Sequence, residues 1–313
     1  MMLSREYINV VERTLRRCFP VVVSHPWHRD FSDPFNFGSG FLMELDGKTY
    51  CITAMHVVSP HNYPEYKRWH ANNICGVPSG KTDYYTRQHL FLTLCNRSEM
   101  MMTQKQASPD DFICPEPFDA SFCDGTEVLN TGVSLGFQFS DWWFRIPMGS
   151  PREAFGEGDI IPDSDIANHD YFVVGSILGM AKGGMQYTRH DKLHIGLKYS
   201  GRNLGDITLE APTENDRTRD WAALSGSPVV SDDGRLLGML VNVADGRKEI
   251  NVMPMAKIVE KIKTESSLEA SGFKDDYYIV VGPGMTMEDV KNNPAVKEMI
   301  DGIHHAPLKV IYD

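Results

Sequence analysis

Hydrophobic positions along the chain fall mostly into short runs bounded by Gly, Pro, Asn and Asp, which is the patterning of strands and turns. The spacing predicts strands at Cys18 to Ser24, Phe37 to Leu45, Lys48 to Val58, His89 to Cys95, Val133 to Phe139, Tyr171 to Leu178, Lys192 to Tyr199 and Ile207 to Glu210. Ser227 to Ser231 and Arg235 to Val243 follow. Two pairs of runs are joined by Asp46-Gly47 and Asp233-Gly234, dipeptides that supply the positive φ values of a tight hairpin. Helical periodicity is confined to the ends. Ser4 is placed to cap a helix to Arg17 with Tyr7, Val10, Val11 and Leu15 on one face, and Met255 to Thr264 has helical spacing. Ser266 to Lys274 reads as a linker, followed by a strand at Tyr277 to Val281, a helix at Thr286 to Ile303 and a strand at Leu308 to Tyr312. Residues 59–110 are polar and irregular apart from the one run at His89, and Arg97 to Asp110, with its Met100-Met101-Met102, reads as a loop.

Many short strands with turns between them point to an antiparallel barrel or sandwich rather than to strands alternating with helices. Composition then narrows the function classes. The chain of 313 residues has a net charge of −11 and no cluster of Lys and Arg, which argues against a nucleic-acid partner. No apolar run approaches the roughly 20 residues that cross a bilayer, so no membrane partner is expected. Charged residues through Met1 to Arg17 interrupt the apolar core a signal peptide needs. The six cysteines are spread singly, without zinc-ligand spacing, and read as reduced thiols; together these imply a cytoplasmic protein. Gly179 to Gly184 holds three glycines, but no Gly-Lys-Ser/Thr follows and a phosphate loop is not expected.

Three segments carry candidate chemistry. Gly38-Ser39-Gly40-Phe41 leads through the first hairpin to Ile52-Thr53-Ala54-Met55-His56-Val57-Val58, with a histidine at the end of a buried strand. Phe118-Asp119-Ala120-Ser121-Phe122 sets an aspartate at the head of an apolar alternation. Trp221-Ala222-Ala223-Leu224-Ser225-Gly226-Ser227-Pro228-Val229-Val230 holds a serine in a tight loop that enters the second hairpin. Asp110, Asp111 and Asp124 compete with Asp119 for the carboxylate position.

These segments resemble the trypsin-like serine proteases of the chymotrypsin fold, and most closely the bacterial heat-shock (Deg-type) branch that lacks disulfides. The chain order His, Asp, Ser is that family's order. Val252-Met253-Pro254-Met255, leading into the Lys257 to Lys263 helix, is similar to the end of the bacterial domain. The resemblance covers roughly residues 18 to 264.

It implies an all-β protein of two antiparallel six-stranded β-barrels, with an N-terminal helix and a small C-terminal α/β extension. The domains would be 1–17 (helix), 18–264 (protease, barrels joined near 125–170) and 265–313 (extension). The activity implied is an intracellular serine endopeptidase acting on protein or peptide substrates. His56 would be the general base and acid, Asp119 its orienting carboxylate and Ser225 the nucleophile. The backbone N–H groups of Ala223 and Ser225 would form the oxyanion hole, and neither metal nor organic cofactor is needed. Asn242 and Val243 would flank the bound peptide. Asp220, or Arg219, would set a charge preference at the pocket base.

Two departures bear on regulation. Ala223 stands where the family usually has glycine, so its Cβ opposes the backbone conformation that aims its N–H inward. Leu224 replaces the aspartate that answers N-terminal cleavage in digestive relatives. With the extension at 265–313, Ala223 suggests control by an activating or regulatory partner. The rival reading is a pseudoprotease that keeps the fold as a peptide- or protein-binding module; a β-rich adaptor unrelated to proteases is a third.

Overall fold

The computed structural model describes residues 4–24, 34–58, 74–78, 84–86, 91–94, 119–139, 142–180, 186–203, 205–216, 220–270, 277–281 and 308–312. In chain order the elements are α1 (Arg5–Arg17), β1 (Cys18–Ser24), β2 (Pro34–Leu45), β3 (Lys48–Thr53), α2 (Met55–Val58), β4 (Ile74–Pro78), β5 (Tyr84–Thr86), β6 (Phe91–Leu94) and β7 (Ser121–Asp124). They continue with α3 (Thr126–Leu129), β8 (Gly132–Phe139), β9 (Trp142–Pro151), β10 (Asp170–Met180), β11 (Gln186–Asn203), β12 (Asp206–Glu210), β13 (Pro228–Ser231), β14 (Leu236–Val243), β15 (Glu249–Pro254), α4 (Met255–Ala270), β16 (Tyr277–Val281) and β17 (Leu308–Tyr312).

The protein is mostly β, as the patterning implies. Six strands form a first sheet in the order β6-β4-β1-β2-β3-β7, and a second runs β10-β13-β14-β15-β12-β11-β5. Because β10 pairs with both β13 and β11, six strands of the second sheet close into a barrel. The first is a half-barrel, open between β6 and β7 among the described residues. Numbered in chain order within each sheet, the barrel strands run first, second, third, sixth, fifth, fourth and close, and the first sheet has the same neighbours except that its fifth and sixth strands, β6 and β7, are unpaired among the described residues.

β1 is buried along its whole length, which explains its unbroken apolar run. Its two edges pair with β2 and β4 in the first sheet, while the Cys18 thiol reaches the Val174 carbonyl of β10 at 3.7 Å. The barrel core comes from inward positions of all six barrel strands, including Val173, Leu197, Ile207, Leu209, Val229, Leu240, Ile250 and Val252. Each such side chain contributes about 1.5–3 kcal/mol of apolar burial. Ser4 caps α1 by accepting from the Tyr7 N–H at 3.1 Å, and the Tyr7 ring meets Phe172 at 5.5 Å, docking the helix on β10.

Several expectations are corrected. Lys48 to Val58 is not one strand: β3 ends at Thr53, and Val57 N–H turns back to the Ala54 carbonyl at 3.1 Å to open α2. Residues 59–110 hold β4 and β5 as well as β6; both are short, and β5 has only Tyr84, Tyr85 and Thr86 to signal it. β9 was not legible as a strand beside its partner β8. α4 continues through Ser266 to Ala270, beyond the expected linker boundary. The expected helix at Thr286 to Ile303, the Met100 run and Arg219 lie outside the described residues.

Residues of Met1–Ser98 and Asp119–Val259 belong to one compact unit. β16 and β17, which pair in parallel, belong to a second. Of the cysteines, Cys18, Cys51, Cys75 and Cys123 are buried free thiols, and burial raises the pKa of Cys51 and Cys75. No described helix is long and apolar enough to cross a membrane.

Removing the Ser4 hydroxyl would take the cap from the Tyr7 N–H and leave it to solvent. Ser4→Ala is therefore expected to lower stability by about 1 kcal/mol, measured by urea denaturation.

Candidate active site

His56 lies in the single turn of α2, immediately after the strand that the Asp46-Gly47 hairpin returns. Asn36 on β2 holds that turn by donating to the Val57 carbonyl at 2.7 Å. Asp119 stands two residues before β7, which pairs with β3 through Thr53↔Ser121. The adjacent strands therefore carry their ends, and the two side chains, to one corner. Asp119 holds His56 at two points. Its Oδ1 accepts the His56 backbone N–H at 2.9 Å, and its Oδ2 lies 2.5 Å from Nδ1. With Nδ1–H donated to the carboxylate, Nε2 is the ring nitrogen left to act as a base. His56 keeps 36% of its side-chain surface exposed and Asp119 27%, so the pair is reachable from solvent.

Ser225 reaches the same corner through its backbone. Ser39 N–H donates to the Ser225 carbonyl at 3.1 Å. Gly226, at φ +89, packs so closely that a methyl group would overlap the Ser39 carbonyl and the Thr53 hydroxyl, with Ala54 N 3.0 Å away. Thr53 in turn donates its hydroxyl to the Ser39 carbonyl at 2.7 Å. The serine loop is thus seated on the strand residues that lead into His56. Its far side is fixed to the barrel, with Gly226 N–H donating to the Leu240 carbonyl and Leu240 N–H to the Ser227 carbonyl, each at 2.9 Å. Among the described residues no hydrogen bond joins Ser225 Oγ to His56.

The loop itself is built of successive turns. Leu224 N–H bonds the Trp221 carbonyl at 3.2 Å and Ser227 N–H the Leu224 carbonyl at 2.9 Å, while Leu224 is wholly buried in the barrel core. Ala223 sits at φ +62, one of two non-glycine residues at positive φ among those described. The left-handed conformation expected to be opposed by its Cβ is therefore adopted, at a cost of about 1–2 kcal/mol. The Ala223 and Ser225 N–H groups donate to no other described residue.

Two residues that sequence reasoning missed brace the segment before the loop. The His194 ring of β11 stacks on Trp221 at 3.7 Å and 14°, and its Nε2–H donates to the Asp220 carbonyl at 2.9 Å. Lys192 Nζ donates to the Ala222 carbonyl at 3.4 Å. Burial depresses the pKa of both, with the Asp220 carboxylate pulling the other way. The strand alternation placed Lys192 and His194 on one face, but nothing in the sequence says which loop that face meets.

The remaining expected site residues divide. Asn242 is exposed on β14, whereas the Val243 side chain is buried in the core, which leaves only its backbone for a bound peptide. β14 pairs with β13 only from Leu236 to Met239, so the same edge from Val241 to Val243 has no strand partner among the described residues. For metal binding, His169, Asp232 and Asp233 bring ligand atoms within 4.8 Å of one another. That cluster is already bound by Arg235, which pairs with Asp233 at 2.8 Å and Asp165 at 2.7 Å. No protein-family model matches the chain, and no curated protein matches it.

The tight seat of the loop can be probed directly. Gly226→Ala combines a strained φ with overlap against backbone and is expected to cost on the order of 3 kcal/mol in urea denaturation. His194 is harder to protonate folded than unfolded, so the unfolded chain binds more protons. Stability should fall as pH drops from the ordinary imidazole value of 6.5 through the depressed folded value, and level off below it. His194→Phe, which keeps a ring on Trp221, should flatten that slope; an unchanged slope in denaturation series at several pH values would assign it to other groups.

Proposed function

We propose that the chain is a serine endopeptidase of the trypsin-like class with the chymotrypsin fold. The observation that carries the reading is the two-point hold of Asp119 on His56, in a corner onto which the Ser225 loop is seated. The strand order common to the two sheets supports the fold assignment.

The chemistry runs from these groups. A serine hydroxyl is a weak nucleophile at neutral pH, so His56 Nε2 takes its proton as Ser225 Oγ attacks the peptide carbonyl. Asp119 keeps the ring in the tautomer that leaves Nε2 free and stabilises the imidazolium that forms. The Ala223 and Ser225 amides face the developing oxyanion, each donor being worth about 2.7–4 kcal/mol. His56 then returns the proton to the leaving amine, and water repeats the sequence on the acyl-enzyme. The free edge of Val241 to Val243 pairs with the substrate backbone as an added strand. Ser225 and His56 close to hydrogen-bonding distance in the complex, since such bonds are often loose without substrate.

A second reading, a pseudoprotease that binds peptides without cutting them, is favoured by one observation: Ala223 carries a conformational cost at an oxyanion position.

A fluorophosphonate probe tests both. The protein is expected to label, and Ser225→Ala to abolish labelling; label that survives the substitution would overturn the nucleophile assignment. A protein that binds peptides on the β14 edge but never labels would favour the second reading. Asp119→Asn should slow labelling by about 10⁴-fold with the fold intact by circular dichroism.

A further inference from the structure

The peptide group between Ala222 and Ala223 does two jobs at once. Its N–H is one of the two expected oxyanion donors, and its C=O is the acceptor for Lys192 Nζ at 3.4 Å. A trans peptide is a rigid plane whose C=O and N–H point in opposite directions. Whatever holds the carbonyl on one side therefore aims the N–H at the other.

We propose that Lys192 is a positioning residue of the reaction: by holding the Ala222 carbonyl it fixes the orientation of the Ala222–Ala223 peptide plane and keeps the Ala223 N–H turned toward the reacting carbonyl. This rests on the protease reading of the same site.

The need for such a hold arises from Ala223. With φ at +62, an alanine there is in a conformation that its Cβ disfavours, and rotating the preceding peptide plane returns it to negative φ while turning the N–H away. Where the family usually places glycine, no such bias exists. In this chain an external contact must outweigh it. β11 provides the contact from two positions on one strand face, since residues two apart project to the same side. His194 binds the Asp220 carbonyl at 2.9 Å and stacks on Trp221, while Lys192 binds the carbonyl two residues further on. The strand thus grips alternate carbonyls of residues 220–222, leaving the Ala223 N–H uncommitted to any other described residue.

The test reads the second-order rate at which a fluorophosphonate, whose phosphoryl oxygen occupies the oxyanion position, labels Ser225. Lys192→Met, which keeps the stem and removes the donor, should slow labelling by about 10²-fold, the effect of losing one oxyanion donor. Lys192→Arg should restore most of the rate. The discriminating arm is the Ala223→Gly background, where positive φ is free and the Lys192→Met penalty should shrink to a few-fold or less. A merely structural lysine would cost the same in both backgrounds. Lys192→Gln, which keeps a shorter donor, serves if the methionine variant fails to fold, and should fall between the two. A Lys192→Met protein that labels at the parent rate, or one slowed equally in the parent and Ala223→Gly backgrounds, overturns the proposal. If the parent and the Ala223→Gly protein both fail to label, the protease reading falls and takes the positioning role with it.

Discussion

Gly226 has no side chain because there is no space for one: its backbone is pressed against the Ser39 carbonyl and the Thr53 hydroxyl at the seam of the two sheets. That close approach ties the serine loop to the strand that ends in His56. It also requires that β2 and β3 already be paired, since Thr53 sits opposite Gly40 and donates to Ser39. On the other side, Gly226 and Ser227 share backbone hydrogen bonds with Leu240. One glycine therefore couples the first sheet, the barrel and the loop between them. Beneath it Gly175 plays a similar part, since a Cβ there would meet the Ser227 hydroxyl and the Leu224 side chain.

This construction separates rigidity from reactivity. Leu224 and Trp221 are anchored in the barrel core, and the strands around them are buried. The amides of Ala223 and Ser225, the His56 ring and the distal edge of β14 are left with polar groups to offer. A small strain at Ala223 is tolerable because it is bracketed by well-packed neighbours, and such strained positions are commonly found where a backbone group is held for a task. The same position makes the loop depend on its supports. The His194 and Lys192 contacts from β11 fall on the Asp220 and Ala222 carbonyls, which precede the strained residue.

The pairing of His56 with Asp119 illustrates how far chain order can be from spatial order. The residues are 63 apart in sequence, and the intervening stretch is polar and weakly patterned. They meet because β3 and β7 are neighbours in the sheet, although β7 is the last strand of that sheet in chain order. Of the aspartates that competed for the position, Asp124 is exposed at the other end of β7, where it accepts the Thr126 N–H at 2.7 Å. Strand pairing decides between them, since Ser121 lies opposite Thr53 and Asp124 opposite Tyr50.

By itself the sequence determined what is local. Alternating apolar positions fixed most strands, Asp46-Gly47 and Asp233-Gly234 fixed two turns, Ser4 fixed a helix start, and His56, Asp119 and Ser225 stood out by residue type in short motifs. These features depend on neighbours a few residues away, so they are written in the linear order. The tertiary structure decided the rest. It ended β3 at Thr53 and turned the next residues into a helix, because Asp119 and Asn36 supply partners there that the run of apolar residues cannot reveal. It sent the Val243 side chain to the core and left Asn242 outside. It also brought Lys192 and His194 to the carbonyls of Ala222 and Asp220. Those outcomes depend on which strands lie side by side, a long-range choice set by packing two sheets against each other.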